Sequence, residues 1–320
     1  MNRSDSILDK PLTRRRVLGT GVAGAGLAML PCQAALAAEM DPQAADKAMI
    51  KRAIPVSGEK VPAMGMGSSG SYERLSSSSA EELRTVMEEF VAMGGTLVDT
   101  SPSYGNAETN IGNIARETGV REQLFMATKV RKTSREATLD QFRSSIDALG
   151  EPIDLLQIHN FIGLDNQWAT LKQLKEEGRV RYIGITHYLT SAFDELEHQM
   201  ATKELDFVQF NYSIMTPDAE ERLLPMAADH GIAVLVNRAF NDGRIFSETK
   251  GQALPEYAKE FDCFSWAQFA LKYVLANETV TSVIPATSDP EHLRDNMHAG
   301  YGKLPDAGQR KRMRETIAAL

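Results

Sequence analysis

Cysteine is almost absent from this chain, and its scarcity excludes a fold held together by disulfides. The 320 residues contain only Cys32 and Cys263. Cys32 lies in an N-terminal segment that we expect to be removed, so the mature chain keeps one thiol and cannot form an intramolecular disulfide. Small secreted domains that depend on disulfides are thereby excluded. Cysteine and histidine also fail to cluster at metal-ligand spacing, and we predict no metal site.

An excess of positive charge is lacking as well. The formal net charge is −8 at pH 7, and the sequence pI is near 5.4. Nucleic acids and anionic membrane surfaces attract basic proteins, so this charge balance argues against both as partners. We therefore expect a small-molecule ligand rather than a polyanion.

The N-terminal segment has the order of a bacterial export signal. Thr13-Arg14-Arg15-Arg16-Val17-Leu18 is a twin-arginine pattern, a Gly/Ala-rich stretch follows from Gly19 to Leu36, and Ala35-Leu36-Ala37 offers a small-x-small cleavage site. We expect residues 1–37 to be a twin-arginine signal cleaved near Ala37 and the mature protein to be periplasmic. A membrane anchor fits less well, because the apolar run is short and glycine-rich. A lipoprotein also fits less well, because Pro31 precedes Cys32.

A regular alternation of strands and helices begins after a predicted linker over residues 38–51. Residues 52–320 are predicted to form one domain, which opens with a hairpin over 54–62 that turns at Ser57-Gly58. Eight apolar runs are predicted as strands, at 63–68, 96–100, 125–130, 153–159, 182–186, 207–211, 233–237 and 281–285. Six amphipathic segments are predicted as helices, at 80–93, 138–149, 168–177, 192–200, 218–229 and 265–276. Several of them run into a glycine that suits a helix C-cap, at Gly94, Gly150, Gly178 and Gly231.

Eight strands that alternate with helices predict a (β/α)8 barrel of the TIM type. The alternative is a doubly wound sheet, which binds a dinucleotide at a Gly-x-Gly-x-x-Gly turn after its first strand. Here the glycines of Met64-Gly65-Met66-Gly67-Ser68-Ser69-Gly70 have another spacing, and no helix follows them directly. The pattern therefore favours the barrel.

Polar residues stand where the predicted strands end, and the carboxyl ends of barrel strands converge on one site. They are Asp99, Lys129, His159, Thr186 with His187, Gln209, and Asn237 with Arg238. Tyr104 follows Asp99 after five residues, in a loop that Pro102 and Gly105 enforce. A phenol has an ordinary pKa of about 10, so it is a poor acid at neutral pH unless a neighbouring cation lowers that value. Lys129 and His159 are the candidate neighbours, and the pattern indicates an enzyme.

These residues resemble those of the aldo-keto reductase superfamily, and the resemblance spans roughly residues 52–300. The strings that carry it, in the family's order, are Asp99-Thr100-Ser101-Pro102-Ser103-Tyr104-Gly105, Thr128-Lys129, Leu156-Gln157-Ile158-His159-Asn160, Gly184-Ile185, Gln209-Phe210-Asn211-Tyr212-Ser213 and Ile284-Pro285-Ala286-Thr287-Ser288 with Asn296. The resemblance implies a barrel whose bottom is closed by the N-terminal hairpin.

The resemblance also implies a role for each of four residues. Tyr104 would be the general acid that protonates a carbonyl oxygen as hydride arrives. Lys129 would lower the pKa of that tyrosine, and Asp99 would hold the lysine in an ion pair. His159 would orient and polarise the carbonyl. The chemistry requires such a set, because an oxyanion develops and needs donors aimed at it.

The cofactor implied is NADPH, with NADH left open. By resemblance Gln209 and Thr186 would bind the nicotinamide carboxamide, with His187 in the place of the family's asparagine. Asn237 and Arg238 stand where the family often has a tyrosine that stacks on the nicotinamide. The turn Asn241-Asp242-Gly243-Arg244 would either face the pyrophosphate or be a plain surface turn. The segment implied to hold the adenosine phosphate contributes Ala286, Thr287, Ser288, His292 and Asn296, with Arg294 as its strong cation.

Two functions follow from these patterns. The first is an exported, monomeric reductase that converts an aldehyde or ketone to an alcohol by direct hydride transfer, without a metal. The second is an exported barrel that binds the cofactor as a sensor or partner subunit and turns over little. The departures near Asn237 favour the second function. The complete set of Asp99, Tyr104, Lys129 and His159 favours the first, because a binding module does not need all four.

Overall fold

Eight parallel strands form the centre of the computed structural model, which describes residues 48–320. The export signal and most of the linker predicted above lie outside the described residues. With the two strands of the N-terminal hairpin, the described residues form ten strands: β1 Lys51–Ala53, β2 Lys60–Pro62, β3 Met66–Gly67, β4 Leu97–Asp99, β5 Phe125–Val130, β6 Ile153–His159, β7 Val180–His187, β8 Phe207–Asn211, β9 Ala233–Asn237 and β10 Val280–Val283. Strands β3 to β10 pair in chain order, each parallel to the next. Bridges from Met64 to Val283 and from Gly67 to Ala286 close the sheet, so the predicted barrel is confirmed.

The barrel strands are largely buried because both of their faces are covered. Every residue of β5, β6 and β8 is buried. Side chains that point inward, among them Leu97, Phe125, Leu155 and Phe207, form their own cluster in the barrel interior. Parallel sheets flanked by helices have this two-sided burial, which explains why their strands read as continuous apolar runs.

Helices surround the barrel and connect successive strands. They are α1 Ser77–Ala92, α2 Ala107–Glu117, α3 Arg135–Leu149, α4 Leu164–Glu176, α5 Phe193–Thr202, α6 Leu223–His230, α7 Arg244–Glu248, α8 Trp266–Leu275, α9 Pro290–His298 and α10 Ala307–Ala318. Ser134 and Ser265 cap α3 and α8 by accepting a backbone N–H. Gly112 lets α2 approach α3 closely, since a Cβ there would lie 2.0 Å from the Ala148 carbonyl oxygen. Gly231 ends α6 in the left-handed conformation, as the sequence predicted.

The N-terminal hairpin closes the end of the barrel where the strands begin. Strands β1 and β2 pair antiparallel, with Arg52 opposite Val61. Ile54 and Val61 are buried in the same interior cluster as Phe125 and Phe207, which are the first residues of their strands. The paired residues are 51–53 and 60–62, so the segment predicted as the hairpin is mostly its connection.

Cys263 is buried, and burial raises the pKa of its thiol to about 12, which keeps it protonated.

Over residues 48–320, no helix combines the length and the apolar character needed to cross a membrane.

Candidate active site

A cavity of about 730 Å³ opens at the carboxyl ends of the barrel strands. Its floor and walls come from the ends of β3, β4, β6, β7, β8 and β9 and from the loops after β4, β5, β9 and β10. Asp99, Tyr104 and His159 lie in its lining, together with Thr186, Gln209, Asn237, Arg238 and Ala286. A larger cavity of about 920 Å³ lies beside the opposite end of the barrel, between α4, α5 and the loop before β9. Of these two cavities, only the first has residues in its lining that the sequence singled out.

Asp99 and Lys129 form a buried ion pair at the base of this cavity. The Lys129 Nζ donates to Asp99 Oδ2 at 2.5 Å and to the Thr100 carbonyl oxygen at 2.8 Å. Burial lowers the pKa of Lys129, but Asp99 and Tyr104 raise it by more, so the pKa stands above its ordinary value and the side chain is an ammonium. An ammonium has three donors, and two are used here. The third remains for Tyr104.

Two glutamines hold the other oxygen of Asp99. Gln157 Nε2 donates to Asp99 Oδ1 at 3.1 Å, and Gln209 Nε2 donates to the same oxygen at 2.9 Å. All three side chains are buried. Gln157 was not among the predicted site residues. The signal that would have found it is an amide in the middle of a strand that is buried over its whole length.

Tyr104 lies beside Lys129 and His159, on the loop after β4. The Lys129 Nζ is 5.2 Å from the centroid of the Tyr104 ring. The ring meets His159 edge-on, with 5.8 Å between centroids. The backbone N–H of Tyr104 donates to the Ser101 carbonyl oxygen, which fixes the loop that presents the phenol to the cavity. The residues predicted as the catalytic set are therefore brought together.

His159 is neutral in this setting. Burial and the positive charges of Lys129 and Arg131 lower its pKa to about 3. Its Nδ1 lies 3.2 Å from both Ser101 Oγ and Ser103 Oγ. The Ser101 Oγ also accepts the Ser103 N–H and lies 3.0 Å from the Ser103 Oγ, so either hydroxyl can donate to the imidazole. An imidazole without charge can donate a hydrogen bond at neutral pH but cannot serve as a strong acid.

Gln209, Thr186 and Asn237 form a network at the end of β7, β8 and β9. Thr186 Oγ1 donates to Gln209 Oε1 at 2.9 Å, and Asn237 Nδ2 donates to the same atom at 3.4 Å. The amide oxygen of Gln209 is thus occupied, and one of its N–H donors goes to Asp99. Asn237 Oδ1 and Ser68 Oγ, however, are buried polar atoms without a hydrogen-bond partner within the described residues. Both residues lie in the lining of the cavity.

His187 does not lie in the cavity lining, although it was predicted there. Its ring contacts Phe161 at 5.0 Å and stacks on Tyr188 at 5.6 Å between centroids. Its Nδ1 accepts the Leu189 N–H at 3.2 Å. Because successive residues of a strand point to opposite faces, Thr186 faces the barrel interior and His187 faces away from it.

Arg238 reaches the cavity but is already paired. Its guanidinium lies 4.8 Å from the centroid of the Tyr188 ring and forms an ion pair with Asp242. Arg238 has a positive φ of 55°, as do its neighbours Asn241 and Asp242 at 49° and 54°. Left-handed backbone at residues other than glycine is strained and tends to occur at functional sites. Backbone strain is therefore concentrated beside the cavity.

The turn after β9 uses most of its own amides. Asn241 N–H donates to the Arg238 carbonyl, Gly243 N–H to the Phe240 carbonyl, and Arg244 N–H to the Asn241 carbonyl. A turn that faces a pyrophosphate needs amides that are not already bonded. Of the two interpretations left open by the sequence, this hydrogen bonding favours the plain turn.

The segment after β10 places its predicted phosphate ligands outside the cavity. Ala286 lies in the lining, whereas Thr287, Ser288, His292 and Asn296 do not. Arg294 is held by Glu89 through two contacts of 2.6 and 2.8 Å. Asp289 caps α9 by accepting the N–H of Glu291 and of His292. The strong cation that was predicted for the phosphate is thus engaged, and a carboxylate stands at the start of the helix.

The described residues contain no candidate metal site. Among residues 48–320, no three histidine, cysteine, aspartate or glutamate side chains are grouped so that they could hold a metal ion.

Comparison with known proteins identifies relatives across most of the chain. The YhdN aldo-keto reductase of Bacillus subtilis is 26% identical over 200 residues, which cover 58% of this chain and 57% of that protein. The NADH-specific methylglyoxal reductase of Escherichia coli is 26% identical over 281 residues, which cover 71% of this chain and 85% of that protein. An aldo-keto reductase of Klebsiella pneumoniae, solved in complex with NADPH, has the same fold with a TM-score of 0.71 and 20% identity, over 84% of this chain and 96% of that one.

A sequence profile of the aldo/keto reductase family matches residues 63–315. That match begins before the first barrel strand and continues into α10, so it includes every residue of the site described above. This chain therefore belongs to the aldo/keto reductase family, and it is an oxidoreductase.

Proposed function

We propose that the protein reduces an aldehyde or ketone to an alcohol with a reduced nicotinamide dinucleotide, and that Tyr104 supplies the proton. The observation that carries this proposal is the arrangement around Lys129. Its ammonium spends two donors on Asp99 and Thr100 and lies next to the Tyr104 ring, which faces the cavity beside His159. The phenol is thus both next to a fixed cation and open to a ligand.

The cavity also suits a nicotinamide. A carboxamide needs both a donor and an acceptor from its site. Asn237 Oδ1 has no partner within the described residues and can accept from the carboxamide nitrogen, while the second N–H of Gln209 can donate to the carboxamide oxygen. When bound, the dihydronicotinamide supplies hydride to the carbonyl carbon.

The residues of this chain then manage the proton and the charge. As negative charge develops on the carbonyl oxygen, the Tyr104 hydroxyl donates its proton to that oxygen. The phenolate that forms is stabilised by the adjacent Lys129 ammonium, which Asp99 keeps in place. Because these groups are fixed before the reaction, little reorganisation is needed when the charge appears.

His159 complements this transfer as a neutral donor. We propose that Ser101 donates to His159 Nδ1, which leaves the ring proton on Nε2. The Nε2–H can then donate a hydrogen bond to the same carbonyl oxygen and orient it toward Tyr104. Its pKa of about 3 ensures that this donor stays in one protonation state across neutral pH.

The test of the proposed function is Tyr104→Phe, with Tyr257→Phe as the control. Tyr257 lies far from the cavity, and its hydroxyl contacts Thr316. We expect Tyr104→Phe to abolish turnover while dinucleotide binding, followed by protein fluorescence, stays as in the wild type. General acid catalysis contributes typically 10²- to 10⁴-fold, so the loss should be at least about 10²-fold. Turnover that survives in Tyr104→Phe would sink the proposed role.

We propose NADPH as the cofactor by family, with NADH as the alternative to be measured. The engaged state of Arg294 and the carboxylate of Asp289 weigh against a tight grip on a 2′-phosphate. Titration of the protein with both dinucleotides decides between them.

We also propose that residues 1–37 direct export by the twin-arginine route to the periplasm. Cell fractionation of the wild type and of Arg14→Lys/Arg15→Lys tests this proposal, and export of the variant would contradict it.

A further inference from the structure

Arg131 is a cation at the cavity that the proposed mechanism does not use. It follows β5 and lies in the lining of the cavity with an exposed side chain. Its backbone N–H donates to Gln141 Oε1 at 2.7 Å, so the chain at its base is fixed to α3. Within residues 48–320, its guanidinium makes no ion pair with a carboxylate.

Every other ionised group in the lining is neutralised by a neighbour. Asp99 is paired with Lys129, and Asp242 is paired with Arg238. His159 is uncharged at neutral pH because its pKa is lowered to about 3. Arg131 therefore leaves the cavity with one uncompensated positive charge.

The lining of the cavity shows where that charge lies. Arg131 directly follows the last residue of β5, two residues after Lys129, and its side chain lies in the lining. Because the strands run toward the mouth of the cavity, Arg131 lies nearer the mouth than Lys129. His159 senses the Arg131 charge, which is consistent with both side chains facing the same space.

Arg131 is also across the barrel from the groups that fit the cofactor. In the ring of eight strands, β5 and β9 are separated by four steps in either direction. Asn237 ends β9, and Ala286 follows β10. An anion held by Arg131 would thus belong to a molecule on the far side of Tyr104 from the proposed nicotinamide site.

From this placement, and resting on the proposed function, we infer that Arg131 determines specificity by binding a carboxylate of the substrate. The substrate class is an aldehyde or ketone with an anionic group several ångströms from its carbonyl carbon, beyond a short spacer. Tyr188, Phe240 and Phe246 in the cavity lining can pack against an aromatic or apolar spacer. An arginine suits this role because its planar fork binds a carboxylate with two parallel hydrogen bonds.

The test compares 4-formylbenzoate with its methyl ester, which differ in charge but share the ring and the aldehyde. Reduction of both is measured at saturating dinucleotide for the wild type, Arg131→Gln, Arg131→Lys and the control Lys132→Gln. Lys132 is the adjacent exposed cation and does not lie in the cavity lining. We expect Arg131→Gln to raise KM for 4-formylbenzoate about 10- to 100-fold, because the loss of a hydrogen bond to a charged group weakens binding by about that factor. KM for the ester should not change, Arg131→Lys should recover part of the loss, and Lys132→Gln should behave as the wild type.

Calorimetric titration with the product, 4-(hydroxymethyl)benzoate, measures the anion site without turnover. The inference is supported if the product binds more weakly to Arg131→Gln but not to Lys132→Gln, and if added salt weakens its binding to the wild type. This result would support the inference even if neither aldehyde is reduced and the proposed function fails. An unchanged ratio of acid to ester in Arg131→Gln, with both still reduced, overturns the inference and leaves the function intact. Weaker binding of NADPH or NADH by Arg131→Gln also overturns it, because Arg131 would then hold the cofactor. No binding of the product to the wild type overturns it outright.

Discussion

Removing one charge of the Asp99–Lys129 pair should destabilise the protein far more than removing both. The Asp99 side chain is 4% exposed and that of Lys129 is 1% exposed, so a lone charge left at either position has very little contact with water. Breaking a buried pair by removing one partner costs about 3–5 kcal/mol, whereas replacing the whole pair with neutral groups is often close to neutral. We expect Asp99→Asn and Lys129→Met each to fall in that range. The double variant should lose less than either single one.

The asparagine is chosen to keep the rest of the network. Its side-chain oxygen still accepts from Gln157 and Gln209, which now donate to Asp99 Oδ1. The methionine fills the volume of the lysine stem without a charge. The double variant therefore removes both charges without opening a large cavity, although it also loses the hydrogen bond from Lys129 to the Thr100 carbonyl oxygen.

Differential scanning calorimetry provides the measurement. For a domain of this size 1 kcal/mol corresponds to roughly 2 °C in Tm, so each single variant should melt roughly 6 to 10 °C below the wild type. All three variants should be inactive, because Lys129 or its anchor is missing. If the two single losses add in the double variant, or if each is below about 1 kcal/mol, the pair is not electrostatically isolated as the structure indicates.

Three further predictions address single groups. The folded state holds His159 neutral down to about pH 3, while the unfolded chain takes up a proton near pH 6.5, so stability falls as pH drops below 6.5; chemical denaturation should show a loss of about 2 kcal/mol between pH 7 and pH 5 that His159→Gln removes. Gln157→Leu should lower the free energy of unfolding by about 1–2 kcal/mol, since it removes one of two donors to Asp99 Oδ1, and a loss below about 0.3 kcal/mol would contradict that role. Asp289→Ser keeps a capping side chain on α9 but removes a negative charge, so fluorescence titration should show the affinity for NADPH rising relative to NADH by up to about fivefold, and no change would place the 2′-phosphate elsewhere.

The barrel was predictable because its strands are buried on both faces. The predicted bounds of β5, β6, β8 and β9 agree with the structure to the residue. Runs of apolar residues bounded by glycine or polar residues identify such strands without any information on their partners. The shortest strands were less well bounded, since β3 has only two paired residues and the predicted segment 63–68 includes the bridges that flank it.

Helices that contribute few apolar residues were missed. Helix α2 contains Asn110, Gly112 and Asn113, which favour other structures, and it forms because Ile111 and Ile114 pack into the core. Helix α10 buries only Met313. The local sequence of α2 does carry a signal, because Ala107, Ile111, Ile114 and Ala115 have the spacing of one helix face, whereas α10 depends on its tertiary contacts.

The candidate site was predictable as a set but not in its directions. Asp99, Tyr104, Lys129 and His159 follow from the rule that strand ends converge. The orientation of His187, by contrast, was missed because the predicted strand ended at residue 186, whereas β7 extends to His187 and the alternation of side chains turns its ring away from the cavity toward Phe161 and Tyr188. The partner of Arg294 is likewise 205 residues away, and its engagement with Glu89 appears only once α1 and α9 are packed.

The hydrogen bonds of Asp99 tie the cooperativity of folding to the completion of the ring. The donors to this one carboxylate come from β5, β6 and β8, at sequence separations of 30, 58 and 110 residues. A chain that has assembled only β3 to β6 would enclose the ion pair in an open sheet and leave Asp99 Oδ1 without Gln209. Partly formed barrels keep the Gln157 donor but lack the Gln209 donor, so they are penalised by a missing hydrogen bond to this buried charge as well as by lost apolar contact. Contacts of such range slow the search for the native topology, but they also sharpen the gap between the finished barrel and its incomplete forms.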